Sequence, residues 1–472
     1  MLRAAYNIFL HPLSAYPGPW WYAVSDIPRI LMAFGGRPHE RLLQLHDEFG
    51  ETVRIAPGEL SSIAPGAWSE IMNIHAGVEN NKDPLYVDPT TGSIISVAKA
   101  DHARIRKVLN DGFTSRKIHE YQPILQKHTS WLIDNLQRTC QNGKTTINLV
   151  EWYNFVLIDM VYELTLGSPF GCLETQQVPP CVAFAFSRAK LGAYIGSLLR
   201  LPAARCLLAL LVPRSVVEDA QRYQDHLKDQ VNQRLASHAQ HADLVGLMLR
   251  GKEDLSMSLQ EIHTNTEVLI IGGSETTASG LCAVTFLLAT HPSAMQKIMD
   301  EILESFQCQG DMDMGRVSKL PFVRAVIHEA LRLYPPSPAA LPRKTPTGGN
   351  KLFGRKLPGD TILGIWQWTA NHSERNFKEP FEFIPERWLD ADGFQEDRRD
   401  VFHPFSYGPR NCIGQNLAIY QLSLILTRML WNFEIRLAEE SRKWLDQDVY
   451  ILWQKKPLSV HLTPRPIPPR KS

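Results

Sequence analysis

The sequence lacks a surplus of charge of either sign. Its 50 lysines and arginines are balanced by 49 aspartates and glutamates, which leaves a formal net charge of +1 across 472 residues. A protein that binds nucleic acid usually shows a strong positive balance, because lysine and arginine contacts to phosphates supply much of the affinity. The composition therefore gives no reason to expect a nucleic acid as a partner.

Paired cysteines are also absent. The sequence has seven scattered cysteines, and none of them belongs to a C-x-x-C pair, so the spacing does not suit zinc or iron–sulfur sites. An odd and scattered set also argues against a disulfide framework and favours a reducing compartment.

The sequence has no uncharged apolar run of the roughly 18 residues that mark a transmembrane helix, and no secretory signal follows Met1. The nearest approach is Leu191–Val212, an apolar stretch interrupted by Arg200, Pro202 and Arg205. Such a stretch forms either a buried pair of helices or a surface that dips into a membrane. The sequence alone leaves both alternatives open.

The remaining pattern predicts one mainly α domain over residues 1–472 with a minor β part, since it shows no repeat, linker or break in composition. Residues 1–19 form a proline-rich entrance segment. Thr52–Ile55 and Glu59–Ile63 alternate around Pro57-Gly58, which predicts a β-hairpin. Further short strands are expected around Ala340–Thr345, Lys351–Phe353 and Thr361–Ile365.

The longest predicted helix begins at a capping box, Ser258 to Glu261, and ends near Thr290, a length of roughly 48 Å. Its middle contains the run GGSETT, residues 272–277. Two adjacent glycines in a helix cost roughly 1 kcal/mol each relative to alanine, so they indicate either open room for a flat group or a close helix crossing. The Thr276 hydroxyl is expected to bond a carbonyl one turn back and to distort the helix locally, while Glu275 supplies an acid.

The strongest motif is F-x-x-G-x-R-x-C-x-G, formed by Phe405, Gly408, Arg410, Cys412 and Gly414. A cysteine thiolate can ligate a haem iron, an arginine fork can bind a propionate, and glycines permit tight turns and close approach. Phe405 is expected to pack against the loop, and a helix that begins just after Cys412 favours the thiolate. The alternative is an ordinary buried cysteine in a glycine-rich turn.

Two further groups of charged residues have less specific patterns. Glu329 and Arg332 stand three apart on a predicted helix face, and Arg387 is a possible third member that would lock two segments together. The side chains of His102, Arg106 and Arg343 can donate hydrogen bonds to a carboxylate. They indicate a binding site only in combination with the Cys412 motif.

Together, the GGSETT helix, Glu329–Arg332, residues 385–388 (PERW) and the Cys412 loop resemble the cytochrome P450 haem-thiolate monooxygenases in the right order along nearly the whole chain. The resemblance implies the single-domain P450 fold with the long central helix over haem b. It implies that Cys412 is the axial iron ligand and that Glu275 and Thr276 are the acid–alcohol pair that delivers protons. It also implies that Glu329, Arg332 and Arg387 form a buried triad.

The same resemblance assigns propionate contacts to a set of basic side chains and places two other motif residues, Phe405 and Gly414, beside the cofactor. These basic side chains are His102, Arg106, Arg343 and Arg410. The family more often has tryptophan at the position of His102.

The entrance motif in residues 6–19 and the stretch Val53–Ser61 look like fungal microsomal members of secondary metabolism. Those members usually carry an N-terminal membrane helix, which this chain is expected to lack because Met1 lies just past where it should end. The resemblance implies a location on the cytosolic face of the endoplasmic reticulum membrane.

The activity implied is insertion of one oxygen atom of O2 into an apolar terpenoid, polyketide or alkaloid. The electrons would come from NADPH through NADPH–cytochrome P450 reductase. One alternative is a haem-thiolate isomerase or dehydratase that needs no reductase, although such members often lose the helix threonine that is present here as Thr276. A non-enzymatic alternative is a haem sensor or carrier.

Overall fold

The computed structural model describes residues 1–75, 77–83, 91–178, 180–201, 214–237, 243–250 and 255–466. The α-helices in these residues are α1 Leu2–Ala5, α2 Trp20–Val24, α3 Ile27–Phe34, α4 Pro38–Phe49, α5 Ala67–Met72, α6 Lys99–Asn110, α7 Ser115–Glu120, α8 Gln122–Thr139, α9 Leu149–Leu166, α10 Cys172–Thr175, α11 Pro180–Leu198, α12 Arg214–Ala236, α13 Leu244–Leu249, α14 Leu259–Thr290, α15 Pro292–Ser305, α16 Met314–Val317, α17 Pro321–Leu333, α18 Gln367–His372 and α19 Gln415–Asn432. The strands are β1 Thr52–Ala56, β2 Glu59–Ser62, β3 Ile74–His75, β4 Val78–Glu79, β5 Asn81–Lys82, β6 Thr146–Asn148, β7 Arg343–Lys344, β8 Asn350–Leu352, β9 Arg355–Leu357, β10 Ile362–Gly364, β11 Phe433–Leu437, β12 Val449–Tyr450, β13 Leu452–Trp453 and β14 Ser459–Pro464. The mainly α class with a minor β part is confirmed.

Helix α14 runs through the centre of the fold. Its capping box is present: the Ser258 hydroxyl accepts from the Glu261 N–H, and the Glu261 carboxylate accepts from the Ser258 N–H. The helix packs against α9, α17 and α19. Among the described residues, α14 is the one helix long and apolar enough to cross a membrane, and 72% of its apolar window is buried inside the fold. A helix that is apolar on all sides and buried belongs to the core.

The largest described sheet has five strands in the order β1-β2-β10-β7-β5. The β1–β2 hairpin is antiparallel as predicted, β10 lies parallel to β2, and β7 lies antiparallel to both β10 and β5. The strand predicted over Ala340–Thr345 covers only Arg343–Lys344. Pro342 and Pro346 flank it, and proline has no N–H for a sheet ladder, which limits the strand.

The buried triad joins α17 to the segment before the Cys412 loop. Arg332 donates to both Glu329 oxygens at 2.8 and 2.9 Å, and Arg387 Nε donates to Glu329 Oε1 at 3.0 Å. All three side chains are almost fully buried. Arg332 also donates to the backbone carbonyls of Asn371 and Pro380. The predicted structural role is therefore confirmed, because each buried charge has its hydrogen-bond partners.

The apolar stretch Leu191–Val212 begins inside α11, whose last residue is Leu198. Residues 202–213, which include half of its leucines, lie outside the described residues. The choice between a buried helix pair and a membrane-facing surface therefore stays open.

Candidate functional site

Cys412 lies in the loop just before α19, and its side chain is exposed. The Cys412 N–H donates to the Phe405 carbonyl at 2.8 Å, which closes the loop, and α19 begins at Gln415 as predicted. The side chain is accessible, yet desolvation raises the pKa of the thiol, while the Gly414 N–H and Arg106 act in the opposite direction. A thiol that is accessible but surrounded by protein is open to a cofactor more than to bulk water.

The two glycines of this loop differ in what they do. Gly408 has φ 78°, and a Cβ there would meet the Met72 carbonyl oxygen at 2.5 Å, so the turn requires glycine. Gly414 has φ −89°, and a Cβ would make an ordinary contact of 3.7 Å with the Phe113 ring. The backbone conformation of Gly414 is open to any residue, so the turn at this position does not require glycine.

The two adjacent glycines in α14 have different surroundings. Each of them fits one of the two explanations that the sequence left open, a close helix crossing or open space. A Cβ on Gly273 would lie 3.1 Å from Val161 of α9, so this glycine allows a close helix crossing. A Cβ on Gly272 would meet nothing within 4 Å, so that glycine borders open space. The helix is continuous through both residues. The expected distortion is wrong, and the space arises from missing side chains.

Thr276 and Glu275 lie next to this space. The Thr276 hydroxyl donates to the Gly272 carbonyl at 2.5 Å, as the sequence predicts. Its hydrogen is thereby used, so its oxygen is left to accept from a water molecule. The Glu275 side chain is buried, and its Oε1 lies 2.7 Å from the Lys455 Nζ.

A cluster of basic side chains forms where β5, β7 and the Cys412 loop meet. The register of the two strands sets Lys82 directly opposite Arg343, although like charges in opposite positions are destabilising. Arg343 is buried, and its Nε donates to the Met72 Sδ at 3.2 Å, a weak acceptor. Arg410 donates to Glu79 at 2.6 Å and to the Val97 carbonyl.

His102 and Arg106 of α6 complete this side of the site in different ways. Arg106 donates to the carbonyl and side-chain oxygens of Asn411 at 2.5 and 2.9 Å, directly beside Cys412. His102 is buried, and its pKa is lowered to about 4 by burial and by the neighbouring cations Arg410 and Lys82. His102 is therefore neutral at physiological pH and offers one N–H rather than a charge.

These features fit the haem that the resemblance implies. Within the described residues, Glu79 is the carboxylate paired with this cluster, so the cations exceed the anions around them. A buried excess of positive charge suits an anionic ligand such as a pair of propionates. In the same part of the chain, no group of three or more His, Cys, Asp and Glu side chains could hold a metal ion. By the family resemblance, an iron at Cys412 would be carried by a macrocycle.

Replacing Lys82 with methionine should stabilise the protein without haem and weaken its hold on haem. Burial, followed by Arg343 and Arg410, lowers the pKa of Lys82 to about 7 from 10.5, while Glu79 acts in the opposite direction. The unfolded chain then binds more protons than the folded chain between about pH 7 and about pH 10, so stability rises with pH in that window. Lys82→Met should raise the melting temperature of the apoprotein at pH 7, flatten that pH dependence and speed haem loss to apomyoglobin.

The matched control is Lys344→Met on the neighbouring strand β7, since Lys344 pairs with Asp360 at 2.8 Å at the surface. This control should leave the melting temperature, its pH dependence and the rate of haem loss unchanged. A lower apoprotein melting temperature in Lys82→Met would contradict the inference that Lys82 is repelled by Arg343 and Arg410.

Sequence reasoning missed Lys82, Glu79 and Lys455. Lys82 and Glu79 come from short strands with little alternation, and their closeness to Arg343 and Arg410 depends on pairing between distant segments. Lys455 follows the short C-terminal hairpin and stands between Gln454 and Lys456, so nothing in the sequence distinguishes it from a surface lysine.

Comparison with known proteins identifies the same family that the sequence motifs resemble, over nearly the whole chain. The family model described as Cytochrome P450 matches residues 16–462. The chain is 35% identical over 474 residues to the cytochrome P450 monooxygenase astJ of Aspergillus oryzae, covering 99% of this chain and 95% of that protein. It is 35% identical over 466 residues to the trichothecene C-15 hydroxylase of Fusarium sporotrichioides, covering 98% and 95%. A third relative, the cytochrome P450 monooxygenase atr2 of Stereocaulon alpinum, is 36% identical over 97% of this chain and 92% of its own length.

Proposed function

Because this chain belongs to the cytochrome P450 family and is a monooxygenase, we propose that it inserts one oxygen atom of O2 into an apolar small molecule of fungal secondary metabolism. The observation that carries the proposal is the combination of one accessible, desolvated thiol with the open space beside Gly272 and Thr276. Electrons come from NADPH through a flavoprotein reductase.

Haem b, when bound, supplies the iron at which O2 is activated. Cys412 would hold that iron, and the hydrogen bond from the Cys412 N–H to the Phe405 carbonyl keeps the loop closed around the thiol. Arg343 and Arg410, together with Lys82 in its protonated form, would hold the propionates, since the cations of this cluster exceed the anions paired with them. The cofactor would thus relieve the repulsion that the strand register creates.

Thr276 positions a water molecule for proton delivery. Its hydroxyl hydrogen is bonded to Gly272, so its oxygen accepts from the water and aims the other water proton into the space beside Gly272. Glu275 is the acid that replaces the proton. General acid help of this kind is typically worth about 10²- to 10⁴-fold.

An apolar substrate is supported by the side chains that border the interior without being fully buried. Ile94, Leu269 and Ala339 pack against the main core and keep part of their surface accessible. A terpenoid, polyketide or alkaloid skeleton matches such a lining.

The function is tested with purified protein, an NADPH–cytochrome P450 reductase, NADPH and isotopically labelled O2. The substrate source is an apolar extract from a producing strain in which this gene is deleted. We expect a product that carries one labelled oxygen atom and forms only with reductase and NADPH. A product that forms without reductase and carries no label would overturn the proposal in favour of a rearrangement.

We also propose that the protein associates with the endoplasmic reticulum membrane through an N-terminal apolar surface, made of exposed side chains on neighbouring elements. Helices α1, α2 and α3 and the π-helix Tyr6–Leu10 form a connected set of contacts. The side chains of this surface are Leu2, Phe9, Leu10, Trp20, Ile27 and Leu31, all exposed. A connected apolar surface of this kind suits a lipid interface.

Phe9→Ser together with Leu31→Ser should reduce flotation of the protein with liposomes. The matched control is Val217→Ser on α12, another exposed apolar residue. Haem content should stay unchanged in both proteins. Equal flotation of wild type and the double variant would remove this surface from the membrane interface.

A further inference from the structure

The Glu275 carboxylate is paired with a lysine from the far end of the chain. Lys455 Nζ lies 2.7 Å from Glu275 Oε1, and the two side chains are only 7% and 9% exposed. Burying two charges costs desolvation energy that the pair does not reliably recover. A buried ion pair beside the proposed oxygen site therefore calls for a reason other than stability.

This pair differs from the buried ion pairs that Glu329 forms with Arg332 and Arg387. Glu329 accepts from Arg332, Arg387, Trp388 and the Ile384 N–H, so both of its oxygens are satisfied. Lys455 Nζ, in contrast, makes no hydrogen bond of ordinary geometry within the described part of the chain. A buried ammonium with unused donors is a place for water.

The backbone around Lys455 is held in place at the surface. The Trp453 indole donates to the Pro335 carbonyl, the Gln454 N–H donates to Asp448, and the Trp444 indole donates to the Lys456 carbonyl. Gln454 and Lys456 are exposed, whereas the Lys455 side chain points inward to α14. Lys455 thus connects the solvent-facing C-terminal segment to the interior acid.

The other titratable groups around Glu275 carry no charge at working pH. Burial raises the pKa of Cys282 to about 12, with Glu275 adding to the rise and Lys455 opposing it. Burial also raises the pKa of Tyr334, again with contributions from Cys282 and Glu275, and the Tyr334 hydroxyl donates to Gln447 at 2.9 Å. The charge that faces Glu275 is therefore that of Lys455.

We propose that Lys455 is a positioning residue that orients Glu275, and that water entering beside Lys455 supplies the protons of the reaction. This inference rests on the monooxygenase function proposed above. Lys455 holds Oε1, and Oε2 takes a proton from the entering water and passes it to the water held by Thr276. One proton moves inward, Glu275 returns to its charged form beside Lys455, and Lys455 keeps its own proton throughout.

The test compares Lys455→Met, Lys455→Arg, Glu275→Gln and the double variant Lys455→Met/Glu275→Gln, with Lys456→Met as the matched control. Lys456 is exposed and donates to the Asp446 carbonyl, away from α14. The assay with reductase, NADPH and labelled O2 measures labelled product and hydrogen peroxide per NADPH, and the rate in light and heavy water. Haem content, the carbon monoxide spectrum and the urea midpoint of unfolding are measured for each protein. If Lys455→Met holds too little haem, Lys455→Gln takes its place.

We expect Lys455→Met to lower product per NADPH by about 10-fold, part of the range that acid–base help supplies, and to increase the solvent isotope effect. Lys455→Arg should recover most of the loss, and Lys456→Met should behave like wild type. The double variant should be no worse than Glu275→Gln, because residues that act through one another are not additive. A carbon monoxide spectrum equal to that of wild type would show that the iron site is intact.

Unchanged product per NADPH and an unchanged isotope effect in Lys455→Met would overturn the inference and leave the ion pair with a structural role. A double variant much worse than Glu275→Gln would also overturn it, since Lys455 would then act independently. Absence of labelled product from the wild-type protein would instead overturn the monooxygenase function. The two failures are thus distinguishable.

Discussion

Cys412→Ser is expected to abolish the absorption band that the carbon monoxide complex of a thiolate-ligated haem shows, together with all product formation. A serine hydroxyl is a poor donor to iron in comparison with a thiolate. The described residues contain no other group of metal-ligating side chains that could replace it. The measurement is the reduced carbon monoxide difference spectrum after haem content has been determined.

Cys308→Ser is the matched control. Cys308 is also partly accessible, and it lies well before the Cys412 loop in the sequence. That variant should keep the band at full height. If Cys412→Ser kept the band, Cys412 would not be the iron ligand, and the proposed function would lose its central residue.

Thr276→Ala is expected to leave haem binding and the carbon monoxide spectrum intact while it diverts electrons from product to hydrogen peroxide. The substitution removes the oxygen that holds the delivering water but no group that holds the cofactor. Product per NADPH should drop by up to about 10²-fold or more, in line with the typical value of general acid help. NADPH consumption should change far less.

Two matched variants show whether the hydroxyl itself is responsible. Thr276→Ser keeps the hydroxyl and should restore most of the coupling. Thr264→Ala removes the same kind of hydroxyl, which donates to the Gln260 carbonyl at 2.9 Å earlier in α14, and should have no effect. Unchanged coupling in Thr276→Ala would mean that the threonine serves packing alone and that the proton arrives by another route.

The features that sequence reasoning found are those encoded by short spacings. The capping box at Ser258 and Glu261, the GGSETT run and the Cys412 motif each lie within one turn or one loop, where local geometry follows from residue type. The β1–β2 hairpin was found for the same reason. The distortion expected at Thr276 was wrong, since α14 is continuous from Leu259 to Thr290.

The features that sequence reasoning missed depend on segments that meet only in the folded chain. Nothing near Lys82 indicates that strand register sets it against Arg343. The spacing of Glu329 and Arg332 is by itself equally consistent with a solvated pair, and it was the family resemblance that implied the burial seen in the structure. Strand β7, in contrast, is shorter than predicted for a local reason. Pro342 and Pro346 flank it, and both are visible in the sequence.

By itself, the sequence determined the family and the mainly α fold, and through the family resemblance it named Cys412, Glu275 and Thr276 as candidate site residues. The motifs that carry the resemblance are each made of residues close together in the chain, so they are visible without coordinates. Only the tertiary structure decided which charges face one another: Lys82 against Arg343, and Lys455 against Glu275. The physical reason is that the energy of a charge depends on its burial and on its partners, and both are created when distant segments pack together.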